Sequence, residues 1–444
     1  MDNDKMNQSS RRSFLKGSLL TGAASTLGFS AVQNVHAAGS DEIKIGIIGC
    51  GGRGMGAVND SFNAMPNTRL VAMGELFADR AENARAALKE HPDFNNRVDV
   101  PDSRLFTGFD NYKGVVENAD LVLIACASRF HPFYAKTAAS AGKHVFVEKP
   151  HGIDAKGVRI MKEAGGIAKE NGTAFVSGLC YRYDTERQEA IAEIKKGLIG
   201  DIVSVQSDYV RYPYSLIERQ KEWTEIEYQF RNWYHFTWLA GDEILQSLLH
   251  NLDSVLWALD ERVPVSAYGI GGRSTEEIPE MGDQYDHSAV IYEYDDGLRI
   301  YGMDRAARNC VTSNQDIFHG TKGRCYFRAT DSPYITDLQN NKIWEPSEPR
   351  KRNMYVQEHY DLINSILENK PINNGERMVT STMTAILGMI ATRSGQRVSY
   401  QELYDSNFTF GPDEDQFSLD MEPMFGPNAD GCYKVAVPGV TKDY

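Results

Sequence analysis

Cysteine is scarce and unpatterned. Cys50, Cys126, Cys180, Cys310, Cys325 and Cys432 form no Cys-x-x-Cys pair and no metal-ligand spacing, so neither a metal site nor a disulfide framework is expected. A chain of 444 residues has room for large cores without such staples, and the six thiols read mostly as small buried hydrophobes. Long apolar runs are also missing. No stretch of about 18 consecutive apolar residues occurs, which argues against a multi-span membrane protein. Positive charge is in deficit, with 47 Lys+Arg against 61 Asp+Glu and a formal net charge of -14. Phosphate contacts need a basic face, so a nucleic-acid partner is disfavoured. There is no Gly-x-Ser-x-Gly elbow, internal repeat or low-complexity block. What remains, 41% apolar and 24% charged, is the composition of an ordinary globular protein with two or three domains.

The amino terminus carries Ser10-Arg11-Arg12-Ser13-Phe14-Leu15-Lys16, then a weakly apolar stretch from Gly17 to Val32 and a small-residue exit at Val35-His36-Ala37. It resembles a twin-arginine export signal. Its glycine, alanine, serine and threonine make it a poor membrane span. Residues 1–37 are therefore expected to be a signal peptide read by the twin-arginine machinery, which delivers the protein to the periplasm. That pathway's use for folded proteins implies a tightly held cofactor.

From Ile43 the chain reads Ile43-Lys44-Ile45-Gly46-Ile47-Ile48, a short β-branched strand, followed by Gly49-Cys50-Gly51-Gly52-Arg53-Gly54. Gly49, Gly51 and Gly54 match the Gly-x-Gly-x-x-Gly fingerprint. The first permits a tight turn, the second lets backbone approach a pyrophosphate, and the third allows strand and helix to pack closely. The helix opening at Gly52 offers free N–H groups to phosphate. A second strand over 69–73 ends at Glu75, where a carboxylate can accept hydrogen bonds from an adenosine ribose. Glu75 favours NAD; Arg53 and Arg80 keep NADP open, because either could neutralise a 2′-phosphate. Helices over 77–90, 110–118 and 131–141 alternate with strands near 105–106, 121–126 and 144–147. Continuous apolar strands between helices predict a parallel, doubly wound sheet. Its ligand groups gather beyond the strand ends, at the glycine loop, Ser128 and Glu148-Lys149-Pro150.

These pieces resemble the glucose-fructose oxidoreductase / inositol dehydrogenase / MocA family. The resemblance rests on the Gly49 loop, the turn Ala127-Ser128-Arg129-Phe130-His131, Glu148-Lys149-Pro150, Ile199-Gly200-Asp201-Ile202, and a helix carrying Gln246-x-x-x-His250-x-x-Asp253. It implies an α/β chain, with an N-terminal Rossmann domain and a C-terminal α+β domain built on a large, mostly antiparallel open sheet. A homo-oligomer formed through that sheet is implied as well. Lys149 and His250 would flank the reactive carbon opposite the nicotinamide, with Ser128, His131, Glu148 and Lys149 among the cofactor-binding residues. Histidine titrates near neutrality and can take or return a proton, while lysine can stabilise an alkoxide; either could serve as the base. Many sugar and inositol dehydrogenases of the family have Asp four residues before the histidine. Here Gln246 stands there, and an amide cannot carry charge or a proton. Asp253, Asp242 or Glu243 could orient the ring instead.

A helix over 154–170 leads to a strand over 173–178, and then to Leu179-Cys180-Tyr181-Arg182-Tyr183-Asp184. This last segment resembles the equivalent loop of NAD-dependent α-N-acetylgalactosaminidases, a branch that usually lacks the lysine kept here as Lys149. Tyr181, Arg182, Tyr183 and Gln246 are candidate substrate ligands. Strands are expected over 202–210, 263–268, 288–294 and 298–303, with Asp295-Asp296-Gly297 as a hairpin turn. An aromatic insertion over 212–240 holds Trp223, Trp233, Tyr234, His235, Phe236 and Trp238. Trp233 in particular suits a sugar platform, although core or subunit packing uses the same residues. The expected division is a Rossmann domain over 41–172, a substrate and oligomerisation domain over 173–353, returning helices over 354–404, and a surface tail over 405–444. The expected activity is hydride transfer between NAD(P) and a secondary hydroxyl of a sugar, glycoside or cyclitol. The alternatives are a redox-assisted glycosidase and a non-catalytic sugar-binding protein.

Overall fold

The computed structural model describes residues 42–275, 278–329, 331–413 and 416–442. The twin-arginine segment lies outside the described residues. Six strands form the first sheet: β1 (Ile43–Ile48), β2 (Thr68–Glu75), β3 (Leu105–Thr107), β4 (Leu121–Ile124), β5 (His144–Val147) and β6 (Phe175–Ser177). All neighbours are parallel, in the order β3-β2-β1-β4-β5-β6. The order reverses between β1 and β4, which opens a crevice beyond their carboxyl ends. Between the strands run α1 (Gly52–Ala64), α2 (Ala78–Glu90), α3 (Asn111–Asn118), α4 (His131–Ser140) and α5 (Ala155–Asn171). β4 is buried along its whole length, as a strand covered on both faces must be. Helix α5 starts where Asp154 accepts from the Gly157 amide and stops at left-handed Gly172.

β6 corrects the expected division. Residues 173–178, assigned from sequence to the second half, add the last strand to the first sheet through pairing of Val145 with Phe175. A three-residue strand shows no pattern that could reveal which sheet edge it joins.

The second half contains α6 (Thr185–Lys195), β7 (Ile202–Arg211), α7 (Glu225–Arg231), α8 (Thr237–Ala240), a π-helical turn over Ile244–Leu248, and α9 (Leu249–Ala258). It continues through β8 (Ser266–Gly272), β9 (His287–Glu293), β10 (Arg299–Ala306), β11 (Ser313–Gly320), β12 (Gly323–Arg328), β13 (Tyr334–Asp337) and β14 (Lys342–Trp344). Helices α10 (Met354–Leu367) and α11 (Gly375–Ser394) follow, then β15 (Val398–Ser399) and α12 (Tyr400–Asp405). The nine-stranded sheet has the order β14-β13-β12-β11-β7-β10-β9-β8-β15 and is antiparallel except at β7–β10. One face packs on α9 and α11 through Leu248, Leu252, Val290, Ile300 and Ile386. The other leaves Ile270, Tyr301 and Met303 exposed.

Helix α10 returns to the first half, where Leu362, Ile363 and Ile366 join the core beside β1 and α1. The tail is more than a surface feature, since Phe417, Cys432, Tyr433 and Ala436 are buried. Among the cysteines, Cys126 and Cys310 are half-buried, and Cys50, Cys180, Cys325 and Cys432 are buried. No described helix is long and apolar enough to cross a membrane, and no described cluster of ligating side chains could hold a metal ion.

Candidate active site

The glycine loop turns sharply from β1 into α1. Gly49 has φ +95°, and a Cβ on Gly54 would lie 1.9 Å from the Gly49 carbonyl oxygen, so both positions demand glycine. At Gly51 and Gly52 a Cβ would meet nothing within 4 Å. Helix α1 begins there with no side-chain cap and no acidic residue in its first turn. Its free N–H groups and positive dipole end therefore face open space shaped for an anion. Glu75 closes the end of β2 and accepts hydrogen bonds from the amides of Cys50 (2.9 Å) and Leu76 (2.8 Å). A cavity of about 360 Å³ runs past Gly49, Gly51, Gly52, Glu75 and Arg80. The donor set and open backbone fit a dinucleotide.

A second cavity of about 190 Å³ adjoins it and shares Arg53, Cys126, Tyr214, Trp233 and Tyr234 as lining. Lys149 and His250 both line this smaller pocket, with Ser128, His131, Glu148, Gln246, Tyr209 and Tyr355. Lys149 arrives from the end of β5, and its Nζ donates to the Gln246 carbonyl. That carbonyl lies in the π-helical turn, a local rewinding of the backbone that recurs at functional sites. The Gln246 side chain is oriented by Nε2 donating to the Tyr234 carbonyl at 2.7 Å. Its Oε1 is buried without a hydrogen-bond partner among the described residues, as is Nδ1 of His250. Burial, followed by the positive charge of Lys149, pushes the His250 pKa well down. The imidazole is consequently neutral at neutral pH, a state that can accept a proton.

The other predicted residues divide into those the pocket uses and those it does not. Tyr181 stands behind His250, ring centroids 4.9 Å apart, and its hydroxyl accepts from Asn314 Nδ2 at 2.7 Å. Burial raises its pKa, so it is a phenol. Arg182 does not reach the pocket. It pairs with Asp253 (2.7 Å) and Glu261, which are acids on and just beyond α9. Asp253 is thereby committed to Arg182 and to Ser381 (2.7 Å) and does not orient His250. Tyr183 donates to Asn374 at 3.0 Å and braces α11. Asp242 accepts from the Ile244 amide, and Glu243 binds Arg211 and Ser247, so neither replaces the missing aspartate.

Arg53 is also redirected. Instead of standing free for a 2′-phosphate, it binds Glu148 at 2.5 Å and Asp60 at 3.0 Å. Arg80 stays in the dinucleotide cavity and donates to the Arg231 carbonyl at 2.8 Å. The ring nitrogens of His131 face the carbonyls of Pro150 (2.8 Å) and Cys126 (3.0 Å) and bind together the loops after β4 and β5.

The aromatic insertion is split. Trp238 and Phe236 are core residues. Trp233 stacks on Tyr234 at 3.9 Å, Tyr234 on Tyr214 at 4.4 Å, and the Arg211 guanidinium covers Tyr214 at 3.5 Å. Both faces of Tyr234 are thus taken, and the stack is a wall common to the two cavities. Sequence reading missed Tyr209 and Tyr355 as lining residues. Tyr209 sits in an alternating strand, while nothing local distinguishes Tyr355 from any other residue in the first turn of a helix.

The family model described as "Oxidoreductase family, NAD-binding Rossmann fold" (GFO/IDH/MocA) matches residues 43–178. Residues 43–178 are thus similar to the NAD-binding Rossmann domain of that family. The matched end at residue 178 coincides with β6, in agreement with the sheet. A twin-arginine signal matches residues 8–28, which assigns the chain to twin-arginine export. A "Glycosyl hydrolase family 109 protein" of Shewanella amazonensis is 27% identical over 248 residues, 51% of this chain and 50% of that protein. The chain thus spans about half the length of this relative. An "Inositol 2-dehydrogenase" of Gluconacetobacter diazotrophicus is 26% identical over 259 residues, covering 58% of this chain and 65% of that protein. The solved aldose-aldose oxidoreductase of Caulobacter crescentus is similar to this chain in fold. Its TM-score is 0.63 at 18% identity, over 81% of this chain and 99% of that one.

Proposed function

We propose that the chain is an exported NAD-dependent oxidoreductase that transfers hydride between a nicotinamide cofactor and a secondary hydroxyl of a sugar, glycoside or cyclitol. The observation that carries this reading is the meeting of Lys149 and His250 in one small pocket adjoining the dinucleotide cavity. A bound dinucleotide supplies the hydride acceptor, held by the glycine loop, the first turn of α1 and Glu75. Lys149, kept in place by the Gln246 carbonyl, orients the hydroxyl and stabilises its developing negative charge. His250 is poised as the proton acceptor because burial, and then Lys149, keep it neutral. Gln246 Oε1, buried and unpaired among the described residues, offers an acceptor for a substrate hydroxyl. Glu75 favours NAD, since Arg53, tied to Glu148 and Asp60, does not oppose its charge. Tight retention of the cofactor and a homo-oligomer formed over the bare sheet face belong to the same reading.

A second reading, the redox-assisted glycosidase, is favoured by Tyr181 beside His250 and by the relative named for family 109. Oxidation would acidify a neighbouring C–H, elimination would release the aglycone, and water addition and reduction would complete a cycle without net cofactor turnover. Mass analysis of dinucleotide released from purified protein, coupled to a screen of sugars and aryl glycosides, tests both readings. Net NADH formation supports the dehydrogenase, and aglycone release without it supports the glycosidase. Lys149→Ala is expected to lower turnover at least about a hundredfold; unchanged turnover overturns both.

A further inference from the structure

The outer wall of the dinucleotide cavity is not built by the Rossmann half alone. Phe109 and Phe130 come from that half, and Phe230 joins them from α7 in the insertion. Phe417, from the tail, packs among all three, with centroids 6.2 Å from Phe109, 5.0 Å from Phe130 and 6.1 Å from Phe230. The Arg129 guanidinium lies 5.5 Å from the Phe417 ring, and Trp238 stacks on it at 5.9 Å. A second fastening lies at the Phe77 and Arg80 end of the cavity. Arg231, the last residue of α7, binds Asp79 in the first turn of α2 at 3.1 and 3.2 Å and lies 3.9 Å over the Phe77 ring. Its carbonyl accepts from Arg80. The tail also holds α7 from behind, through Tyr433 donating to Glu225 at 2.6 Å and Gln229 donating to the Phe425 carbonyl at 2.8 Å.

We propose that Phe417 and Arg231 are positioning residues for the bound dinucleotide: they pin the insertion and the tail across the glycine-loop half, and the cofactor departs only when that wall loosens. The inference rests on the dinucleotide reading above and explains how retention is achieved. A ligand covered by a packed wall leaves at the rate at which the wall opens, so weakening the wall acts mainly on dissociation.

The test loads the full-length mature protein with NAD and follows its loss during displacement by excess ADP-ribose. Phe417→Ala and Arg231→Ala are expected to release NAD about tenfold faster or more, equivalent to about 1.4 kcal/mol. Asp79→Asn, a change at an exposed partner, is expected to give about a two- to fivefold effect. Phe417→Tyr keeps the ring and restores slow release. Melting temperatures of the cofactor-free variants report folding, and Phe417→Leu carries the tail arm should the alanine variant not fold. Release as slow as wild type in folded Phe417 and Arg231 variants overturns the inference. A wild-type protein that takes up no dinucleotide overturns the reading beneath it instead.

Discussion

Burial and Lys149 keep the base of this pocket neutral, and Gln246 adds no carboxylate to oppose them. Where a carboxylate one helical turn before the histidine would favour the imidazolium, the amide directs Nε2 to a backbone carbonyl and leaves Oε1 unpaired among the described residues. His250 is depressed by burial and by Lys149, with Asp253 pulling weakly the other way. A base with a depressed pKa stays deprotonated as pH falls through its ordinary value near 6.5, so proton acceptance persists into mildly acidic solution. Gln246→Asp is expected to raise the His250 pKa, moving its protonation towards neutral pH. Titration of the His250 ring by NMR checks this without a substrate; an unmoved midpoint in that variant, with its new carboxylate ionised, would remove Gln246 from the electrostatics of the ring.

At the scale of an element, the turn from β1 into α1 separates two uses of glycine. Gly54 serves the fold, because its missing Cβ lets the helix approach the Gly49 carbonyl. Gly51 serves the ligand, because the space above it is open. Gly54→Ala is therefore expected to destabilise the protein by about 1–3 kcal/mol, as overpacking does. Gly51→Ala should stay within about 0.5 kcal/mol of wild type yet bind dinucleotide more weakly. Thermal melts and NAD titration measure the two quantities separately, and equal losses of stability would erase the distinction. The π-helical turn is the other element that matters. It places the Gln246 carbonyl against Lys149 while His250 enters the same pocket.

For the whole molecule, the bare sheet face is an unfinished surface. Ile270, Tyr301 and Met303 are 73%, 48% and 43% exposed on strands of one sheet, an apolar patch of the kind that marks an association site. Ile270→Glu is expected to shift the protein to a smaller species in sedimentation, with the fold retained. A wild-type protein that sediments as a monomer would sink the oligomer proposal.

The amino-acid sequence by itself determined whatever depends on near neighbours along the chain. Strand periodicity, the glycine spacing, Glu75 at the end of its strand and the position of Lys149 after another all follow from local sterics and burial. The twin-arginine segment was legible for the same reason, as a linear signal. Only the tertiary structure decided which partners the long charged side chains choose. Arg182 reads like a substrate ligand until Asp253 and Glu261 are found beside it, and Arg53 reads like a phosphate ligand until Glu148 claims it. The edge pairing of β6, the strands β11 to β14 and the packing of Phe417 behind the cavity wall were hidden likewise. Each depends on contacts between segments far apart in sequence, and a charge or an aromatic ring gives no local sign of the distant surface that will bury it.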